Sequence, residues 1–275
     1  MRLQDRVAIV TGCARERGIG RAIALRLARE GAHIVAGDYG RLIAEYPDAK
    51  FGQMDELNAL AAEIEKLGRR CVPVKVDVTD EAEVQAMAET AWKEFGRVDI
   101  LCNNAGGGVG GGPVVQMTLD SWSRTVAINL TGTFLCSKHV APKIIQGGRG
   151  GRIINTASIA GKRGGPGMSA YCAAKHGVVG LTRSLALELG QFGITVNAVC
   201  PGFVETQLFE GLLQMVGAMR GVDREGAIKS FVAQVPMGRM ETGDDVANVV
   251  AFLASDDGGY VTGQAVNICG GVEVH

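Results

Sequence analysis

Short apolar runs rich in β-branched residues alternate along the chain with longer segments of helical period. This alternation predicts successive strand-helix units that build a parallel sheet covered on both faces. The predicted strands lie near residues 6–11, 32–37, 71–77, 98–102, 151–157, 194–200 and 264–269. The predicted helices lie near residues 19–30, 55–67, 80–95, 119–138, 169–190 and 243–254. We therefore expect an α/β protein with a doubly wound sheet of seven parallel strands, in a single domain over residues 1–275.

Two segments interrupt the alternation. Residues 39–54 lie between the second strand and its helix, and an excursion at about 202–240 follows Pro201. Long segments of this kind in α/β domains are usually functional loops or lids. No linker or internal repeat accompanies them, so we expect loops of one domain rather than a second domain.

The composition excludes several classes of protein. Lys and Arg number 28 and Asp and Glu number 29, so no basic excess is available to bind nucleic acid or an anionic membrane. The 7 cysteines are scattered without a C-x-x-C pair, which predicts neither disulfides nor a metal site. No apolar run is long enough to span a membrane, and no secretion signal is visible. We therefore expect a cytoplasmic protein.

Glycine is unusually common, with 40 of 275 residues, which draws attention to close approaches of the backbone to a ligand. The first predicted strand ends at Thr11-Gly12, and Gly18-Ile19-Gly20 opens the next helix. Glycines at such a turn let backbone N–H groups reach a pyrophosphate at the helix N-terminus. The turn is typical of a Rossmann-type dinucleotide-binding fold, although a plain strand-to-helix turn can use the same glycines.

The end of the second predicted strand bears on the choice of cofactor. Asp38 lies eighteen residues after Gly20, close to the spacing of an acid that binds the adenosine ribose. Its carboxylate would accept hydrogen bonds from both ribose hydroxyls and repel a 2′-phosphate, which favours NAD over NADP. Arg15 and Arg17 in the glycine loop could neutralise such a phosphate, or could simply be solvated.

Two further strand ends carry polar or small residues. The third predicted strand closes in Asp77-Val78, whose carboxyl could bind the adenine amino group, and the fourth closes in Asn103-Asn104-Ala105-Gly106. Each feature alone could be a turn or a helix cap. Together they favour a ligand site, because ligands of open α/β sheets bind at the carboxyl ends of the strands.

A candidate catalytic group follows the fifth predicted strand. Ser158 comes directly after that strand, and the next helix presents Tyr171 and Lys175 at positions i and i+4. Residues at this spacing share one helix face, so the ammonium would lower the pKa of the phenol toward working pH. A tyrosine of this kind can act as general acid or base, and Ser158 can donate a hydrogen bond to a carbonyl or alkoxide oxygen. This chemistry suits hydride transfer at a carbinol carbon.

At this point the chain resembles the short-chain dehydrogenase/reductase superfamily, in its standard, non-extended subgroup, over essentially its whole length. The matching residues are Thr11-Gly12, Gly18-Ile19-Gly20, Asp77, Asn103-Asn104-Ala105-Gly106, Asn129, Ser158, Tyr171, Lys175, Pro201-Gly202 and Thr206. The resemblance implies an NAD-dependent oxidoreductase that interconverts a secondary alcohol and a ketone, with no metal.

The resemblance also implies roles for individual residues. Tyr171 would take the alcohol proton, and Ser158 would orient the substrate oxygen. Lys175 would bind the nicotinamide ribose and tune Tyr171, while Asn129 would position a helix kink and a relay water. The implied cofactor-binding residues are Gly12, Arg17, Gly18, Ile19, Gly20, Asp38, Asp77, Val78, Asn104, Ala105, Gly106, Tyr171, Lys175, Pro201, Gly202, Val204 and Thr206.

The chain departs from the family pattern in three places. Five residues separate Gly12 from Gly18 where the family has three, and the surplus Arg-Glu pair is expected to bulge toward the adenosine. This insertion leaves the cofactor preference less certain than the site itself. Residues 39–54 are longer than usual, and their apolar members Tyr46, Phe51 and Met54 are expected to pack on the sheet edge. The run at residues 106–112 is too flexible to form a rigid pocket wall by itself.

The substrate is less well defined by the sequence. The excursion after Pro201 carries apolar residues on an interrupted helical period, namely Phe203, Leu208, Phe209, Leu212, Leu213, Met215 and Met219. In the family this segment closes over the substrate, which favours a hydrophobic or cyclic secondary alcohol. An amphipathic helix resting on the core would show the same spacing. Lys162 and Arg163 could bind an anionic group, or could be solvated.

Other functions remain open at this stage. One is an NADPH-dependent reductase of 3-oxoacyl thioesters of the acyl-carrier-protein type, which the same motifs serve. Another is a non-catalytic NAD-binding scaffold or redox sensor on the same fold. A sugar-nucleotide epimerase would need a larger C-terminal region. By resemblance we also expect a homotetramer, with contacts through the helices near 119–138 and 169–190 and through residues 259–271.

Overall fold

The computed structural model describes residues 1–40, 52–107 and 111–275. The described residues form seven strands and nine α-helices. The strands are β1 (Val7–Thr11), β2 (His33–Asp38), β3 (Cys71–Lys75), β4 (Ile100–Asn103), β5 (Gly151–Thr156), β6 (Ile194–Pro201) and β7 (Ala265–Ile268). The helices are α1 (Ile19–Arg29), α2 (Met54–Lys66), α3 (Glu81–Phe95), α4 (Leu119–Val126), α5 (Gly132–Gly147), α6 (Ser169–Leu189), α7 (Gln207–Arg220), α8 (Arg224–Val232) and α9 (Gly243–Ala254).

The seven strands form one parallel sheet in the order β3-β2-β1-β4-β5-β6-β7. The order reverses beside β1, where Val10 pairs with Ala36 of β2 and with Cys102 of β4. A doubly wound sheet opens a crevice at this switch point, outside the carboxyl ends of the strands. The predicted Rossmann-type fold with a single seven-stranded sheet is therefore confirmed.

Alternate side chains of the strands feed two hydrophobic cores. On β1, Ala8 and Val10 face the core beneath α1, α2 and α9, whereas Val7 and Ile9 face the core on the opposite side. All five residues of β1 are buried, as expected for a central strand covered on both faces. The two helical layers fix the sheet edge on which the site is built.

The structure differs from the predicted elements in three places. β3 ends at Lys75, so Asp77 and Val78 lie in the turn that leads to α3 and not in the strand. The helix predicted near 119–138 continues to Gly147 as α4, a π-helical segment (Ala127–Thr131) and α5. The excursion after Pro201 holds the helices α7 and α8, because its apolar residues pack with one another.

Two sequence expectations fall on residues 39–54. Met54 begins α2 and packs on the core beneath α1, α2 and α9. Tyr46 and Phe51 lie outside the described residues. Within the described part of the chain, no helix is both long enough and apolar enough to cross a membrane.

Candidate active site

The predicted site residues meet at one edge of the sheet. β1, β4, β5 and β6 are neighbours and run in the same direction, so the segments that follow them emerge together. These segments are the glycine loop (residues 12–18), residues 104–107, residues 157–161 and residues 202–206. The sheet topology therefore gathers residues that are far apart in the sequence.

The glycine loop lies tightly against the sheet. Gly12 has φ +67°, and a Cβ atom there would lie 2.7 Å from the Cα atom of Ala105. A Cβ atom on Gly20 would lie 2.3 Å from the carbonyl oxygen of Gly12. Gly18 stands at the N-cap of α1, where it offers no side chain, and the first turn of α1 carries no acid. The N–H groups at this helix end are thus suited to a phosphate.

Asn104 and Thr11 hold the loop in place. Asn104 Nδ2 donates to the carbonyl oxygens of Thr11 (3.0 Å) and Gly12 (2.8 Å). Thr11 Oγ1 accepts the backbone N–H groups of Asn104 and Ala105, both at 3.1 Å. Thr11 entered the sequence analysis only as part of a motif, and its positioning role depends on the pairing of β1 with β4.

Asp38 lies at the end of β2 and binds the glycine loop directly. Its Oδ2 accepts the N–H of Ala14 and its Oδ1 accepts the N–H of Tyr39, both at 2.8 Å. Burial raises the pKa of Asp38, while these two hydrogen bonds and the charge of Arg15 lower it. The carboxyl keeps lone pairs for ribose hydroxyls, but the nearby charge of Arg15 weakens its repulsion of a phosphate.

Asp77 and Val78 lie in the turn between β3 and α3, and their contacts stabilise that part of the chain. Asp77 Oδ1 accepts the N–H and the hydroxyl of Thr79, at 2.9 and 2.7 Å. Val78 is buried against α5, where a Cβ atom on Gly132 would lie 2.7 Å from its Cγ2. The sequence analysis allowed a turn as the alternative to adenine binding, and the observed contacts are those of a turn, with the second oxygen of Asp77 still available.

Asn129 lies in the π-helical segment and is fully buried. Its Nδ2 donates to the carbonyl oxygens of Gly107 (2.7 Å) and Thr125 (2.8 Å), and its Oδ1 accepts the N–H of Gly107 at 3.1 Å. The amide side chain thus anchors the backbone that follows β4. The π-helical segment is the helix irregularity expected at this asparagine, and such segments are frequent at functional sites.

Ser158, Tyr171 and Lys175 come together beyond β5. The Ser158 side chain lies close enough to the Tyr171 phenol to lower its pKa. Ser158 Oγ also accepts the N–H of Ala160 at 3.1 Å, which fixes its orientation. Lys175 Nζ lies 5.6 Å from the centre of the Tyr171 ring and donates to the carbonyl oxygen of Thr156 at 2.7 Å. The spacing of Tyr171 and Lys175 on one helix face is therefore as predicted.

The electrostatics of this group differ from the expected pattern. Burial raises the pKa of Tyr171, and the nearby side chain of Ser158 opposes that rise. Burial lowers the pKa of Lys175 to about 8. The expected lowering of the tyrosine pKa by Lys175 is not observed, because the ammonium is directed to Thr156 and faces the ring rather than the phenol oxygen.

Residues 201–206 form the far wall of the site. Gly202 approaches β7 so closely that a Cβ atom there would lie 2.9 Å from Cβ of Cys269. Val204 pairs with Glu241 in a parallel bridge, and Thr206 caps α7 by accepting the N–H of Phe209 at 3.3 Å. The Thr206 hydroxyl retains its proton for donation to a ligand. Glu241, which holds Gly202 through its carboxyl, was not found by the sequence analysis, because no spacing rule connects it to this segment.

The apolar residues after Pro201 mostly pack on one another. Phe203, Phe209 and Phe231 form a cluster with ring centres 4.9 to 6.2 Å apart. Leu212 and Leu213 belong to the same cluster, whereas Met215 and Met219 are exposed. The amphipathic alternative is thus correct for most of these residues, and they form a small core that makes α7 and α8 one unit.

Three basic side chains near the site are engaged in protein contacts. Arg17 lies 3.4 Å from Glu210 of α7, so this part of the insertion extends toward the excursion after Pro201. Lys162 donates to the carbonyl oxygen of His275 at 2.9 Å, and Arg163 to that of Val272 at 3.4 Å. Both contacts are solvent-exposed, so the interpretation of Lys162 and Arg163 as solvated side chains is compatible with them.

The residues at this edge fit a dinucleotide. Three features point to it: a helix N-terminus without a side-chain cap, glycines where a side chain would collide, and a buried carboxyl at Glu241 with one oxygen that has no hydrogen-bond partner among the described residues. Together with the Ser158-Tyr171-Lys175 group, they define a dinucleotide-dependent oxidoreductase of the α/β class.

Comparison with known proteins agrees with this class. Residues 12–273 match the family described as enoyl-(acyl carrier protein) reductase. A short-chain dehydrogenase/reductase from Armillaria gallica is 39% identical over 98% of this chain and 96% of its own length. The 3-oxoacyl-[acyl-carrier-protein] reductase FabG of Thermotoga maritima is 36% identical over 100% of both chains. The crystal structure of carveol dehydrogenase from Mycobacterium avium in complex with NAD superposes with a TM-score of 0.92, at 34% identity and over 98% of both chains.

The chain belongs to the short-chain dehydrogenase/reductase family and is an oxidoreductase.

Proposed function

We propose that the protein interconverts a secondary alcohol and a ketone by hydride transfer, with NAD as its cofactor. The observation that carries this proposal is the meeting of Ser158 and the Tyr171 phenol beyond β5, with Lys175 Nζ 5.6 Å from the centre of the Tyr171 ring. All three side chains lie at the sheet edge where the chain can hold a dinucleotide.

In alcohol oxidation, Tyr171 and Ser158 act on the same oxygen atom of the substrate. Tyr171 accepts the proton of the alcohol hydroxyl as general base, and Ser158 donates a hydrogen bond to the same oxygen as it becomes a carbonyl. NAD, when bound, would accept the hydride that leaves the carbinol carbon. Loss of one proton and one hydride from the alcohol yields the ketone, and the reverse transfers yield the alcohol.

Lys175 and Asn129 support this group. Lys175 would bind the nicotinamide ribose through Nζ, and its charge would favour the phenolate of Tyr171 only if the ammonium turned from Thr156 toward the phenol oxygen. Asn129 holds Gly107, so the backbone beside Lys175 stays fixed. A Cβ atom on Gly106 would lie 2.7 Å from Asn129 Oδ1 and 3.4 Å from Lys175 Nζ, which shows how closely these groups are packed.

The cofactor would extend along the whole sheet edge. Gly12, Gly18, Ile19 and Gly20 would hold the pyrophosphate, with Arg17 beside it. Asp38 would bind the adenosine ribose, and Asp77 and Val78 would border the adenine. The remaining contacts would come from Asn104, Ala105, Gly106, Tyr171, Lys175, Pro201, Gly202, Val204 and Thr206. Residues 202–240 would cover the substrate.

Asp38 supports NAD over NADP, because its carboxylate would oppose a 2′-phosphate. The carveol dehydrogenase structure that this chain resembles is itself an NAD complex. Arg15 is the contrary feature, since its charge acts on Asp38.

A second candidate is an NADPH-dependent reductase of 3-oxoacyl thioesters. The Thermotoga maritima relative that matches this chain over its full length is named a 3-oxoacyl-[acyl-carrier-protein] reductase. A non-catalytic scaffold or redox sensor is less favoured, because Asn129, Ser158, Tyr171 and Lys175 are all present.

The assembly would be a homotetramer. Apolar side chains are exposed on the helices that cover the two expected contact regions, namely Leu119 and Trp122 on α4, Phe134 on α5 and Leu187 on α6. Tyr260, in the C-terminal segment expected at a second contact, is also fully exposed. Light scattering on the native protein should then give about four times the chain mass, and a monomeric mass would contradict this assembly.

The function is tested by NADH fluorescence at alkaline pH. Purified protein would be given NAD and a panel of cyclic, aromatic, aliphatic and polyol secondary alcohols, and separately NADPH with 3-oxoacyl thioesters. Tyr171→Phe should lower the rate by about 10²- to 10⁴-fold with a preserved fold. Tyr260→Phe, at an exposed tyrosine, is the matched control and should retain the rate. An unchanged rate in Tyr171→Phe would refute the mechanism.

A further inference from the structure

Glu241 is a buried carboxyl beside the segment proposed to bind the nicotinamide. It lies between Met240 and the start of α9, and 8% of its surface is exposed. Its Oε2 accepts the N–H of Gly202 at 2.7 Å. Its backbone N–H donates to Phe203 at 3.0 Å, and its carbonyl accepts from Glu205 at 2.8 Å. One residue thus makes three hydrogen bonds to the segment that follows β6.

The Gly202 N–H does not need the Glu241 side chain as its hydrogen-bond acceptor. The Gly202 N–H also donates to the carbonyl oxygen of Ile268 at 3.0 Å, so it has a backbone acceptor without Glu241. Glu241 Oε1 contacts no polar partner among the described residues. A buried carboxyl with one unused oxygen disfavours folding, which indicates that it serves something other than local structure.

No cation pairs with Glu241 in the described part of the chain. Arg239 is committed to Asp245, at 2.7 and 2.8 Å, and Asp245 adds a negative charge nearby. Cys269, on the β7 side of Gly202, is a buried thiol. Burial raises the pKa of Glu241 to about 8, the charge of Asp245 raises it further, and Arg239 acts in the opposite direction.

The bridge between Val204 and Glu241 sets the direction of the neighbouring backbone. The carbonyl of Phe203 and the N–H of Glu205 are hydrogen-bonded to the backbone of Glu241. The N–H and carbonyl of Val204, which lies between them, therefore point away from Glu241. In the proposed function, that segment holds the nicotinamide carboxamide. Glu241 therefore supports this segment from the side opposite to the proposed carboxamide contact, and it places an unpaired carboxyl close to the proposed nicotinamide position.

We propose that Glu241 is a positioning residue that also favours the oxidised over the reduced form of the bound nicotinamide cofactor. The inference rests on the proposed dinucleotide site. A carboxylate at Glu241 attracts the positive charge of the oxidised nicotinamide and has no such attraction for the neutral reduced ring. A protonated Glu241 lacks this preference, so the ratio of the two affinities depends on pH.

The test measures the dissociation constants of NADH, by its fluorescence, and of NAD⁺, by competition, at about pH 6.5 and about pH 9.5. In the wild type, the ratio of NADH to NAD⁺ dissociation constants should rise by about five- to tenfold between these values. Glu241→Gln keeps an acceptor for Gly202 but no charge, and its ratio should change less with pH than that of the wild type, because Lys175, whose pKa is about 8, is then the group left to titrate beside the cofactor. Asp244→Asn, at an exposed acid in the first turn of α9, should behave as the wild type.

The possible outcomes separate the two proposals. Failure of the wild type to bind either nucleotide would refute the dinucleotide site itself. Binding with a ratio that changes equally in wild type and Glu241→Gln would overturn only the role of Glu241. A purely structural role would weaken both nucleotides alike at both pH values. If Glu241→Gln does not fold, the same ratio of dissociation constants is measured in Lys175→Met. A ratio that still depends on pH supports Glu241, and a ratio that no longer does assigns the dependence to Lys175.

Discussion

Asn129 Nδ2 donates to the carbonyl oxygen of Gly107 at 2.7 Å while its Oδ1 accepts the N–H of the same residue at 3.1 Å. One side chain from a π-helical turn therefore occupies both backbone groups of a residue beyond β4. This double contact ties the helix across the site to the loop beside the catalytic lysine. It explains why a buried amide is placed where the helix is irregular.

Asn129→Asp should destabilise the protein by about 2–4 kcal/mol, because a carboxylate cannot donate to the carbonyl oxygens of Gly107 and Thr125 and places a charge in a fully buried site. Urea unfolding measures the change. Asn58→Asp, at an exposed position of α2, is the control and should change the free energy of unfolding by about 0.5 kcal/mol or less. Equal effects of the two substitutions would show that the Gly107 contact is unimportant.

Gly20→Ala should weaken cofactor binding by more than about tenfold and lower stability. The added methyl group would lie 2.3 Å from the carbonyl oxygen of Gly12 and 2.5 Å from Asn104 Nδ2, so the loop must move. Gly180→Ala, in α6 with open space around its Cβ position, should be neutral or stabilising by up to about 1 kcal/mol. Cofactor affinity and thermal unfolding are the measurements, and normal affinity in Gly20→Ala would contradict the assignment of the loop.

Asp38→Asn should shift cofactor use from NAD toward NADP by about 10²-fold in the ratio of kcat/KM values. The substitution removes the charge that opposes a 2′-phosphate and leaves Arg15 nearby to attract it. Steady-state kinetics with both cofactors measure the ratio, with Asp55→Asn on α2 as an exposed control. If Asp38→Asn and Asp55→Asn leave the ratio equally unchanged, Asp38 does not select the cofactor.

Lys175 should make stability depend on pH. Its folded pKa of about 8 lies below the ordinary value of 10.5, so the unfolded chain binds more protons between these two values. Stability from this group therefore rises as pH increases from about 8 to about 10.5, and below this window the buried ammonium disfavours folding.

Lys175→Met removes this dependence. The free energy of unfolding of the variant, minus that of the wild type, should be larger near pH 7 than near pH 10.5 by about 1–3 kcal/mol. Urea titrations at the two pH values provide the measurement. A constant difference between variant and wild type would mean that the pKa of Lys175 is not lowered.

The elements of the fold could be predicted because their signals are local. The buried strand Val7–Thr11 is a continuous apolar run, and Gly18 and Gly20 mark the start of α1. The end of β3 was misplaced because Val76 is buried like a strand residue while Asp77 already forms a turn. The excursion after Pro201 was predicted only as an interrupted helical period, with an amphipathic helix as an alternative, because the packing of α7 and α8 on each other that stabilises both is not visible in either segment alone.

The sequence by itself determined the fold class and the chemical types at the site, since periodicity and short motifs depend on neighbours along the chain. It placed Tyr171 and Lys175 on one helix face. Only the tertiary structure decided their surroundings: Lys175 donates to Thr156, nineteen residues away, and Glu241 reaches Gly202 from thirty-nine residues away. Such contacts, and the burial that shifts their pKa values, arise from packing between distant segments and therefore follow no spacing rule.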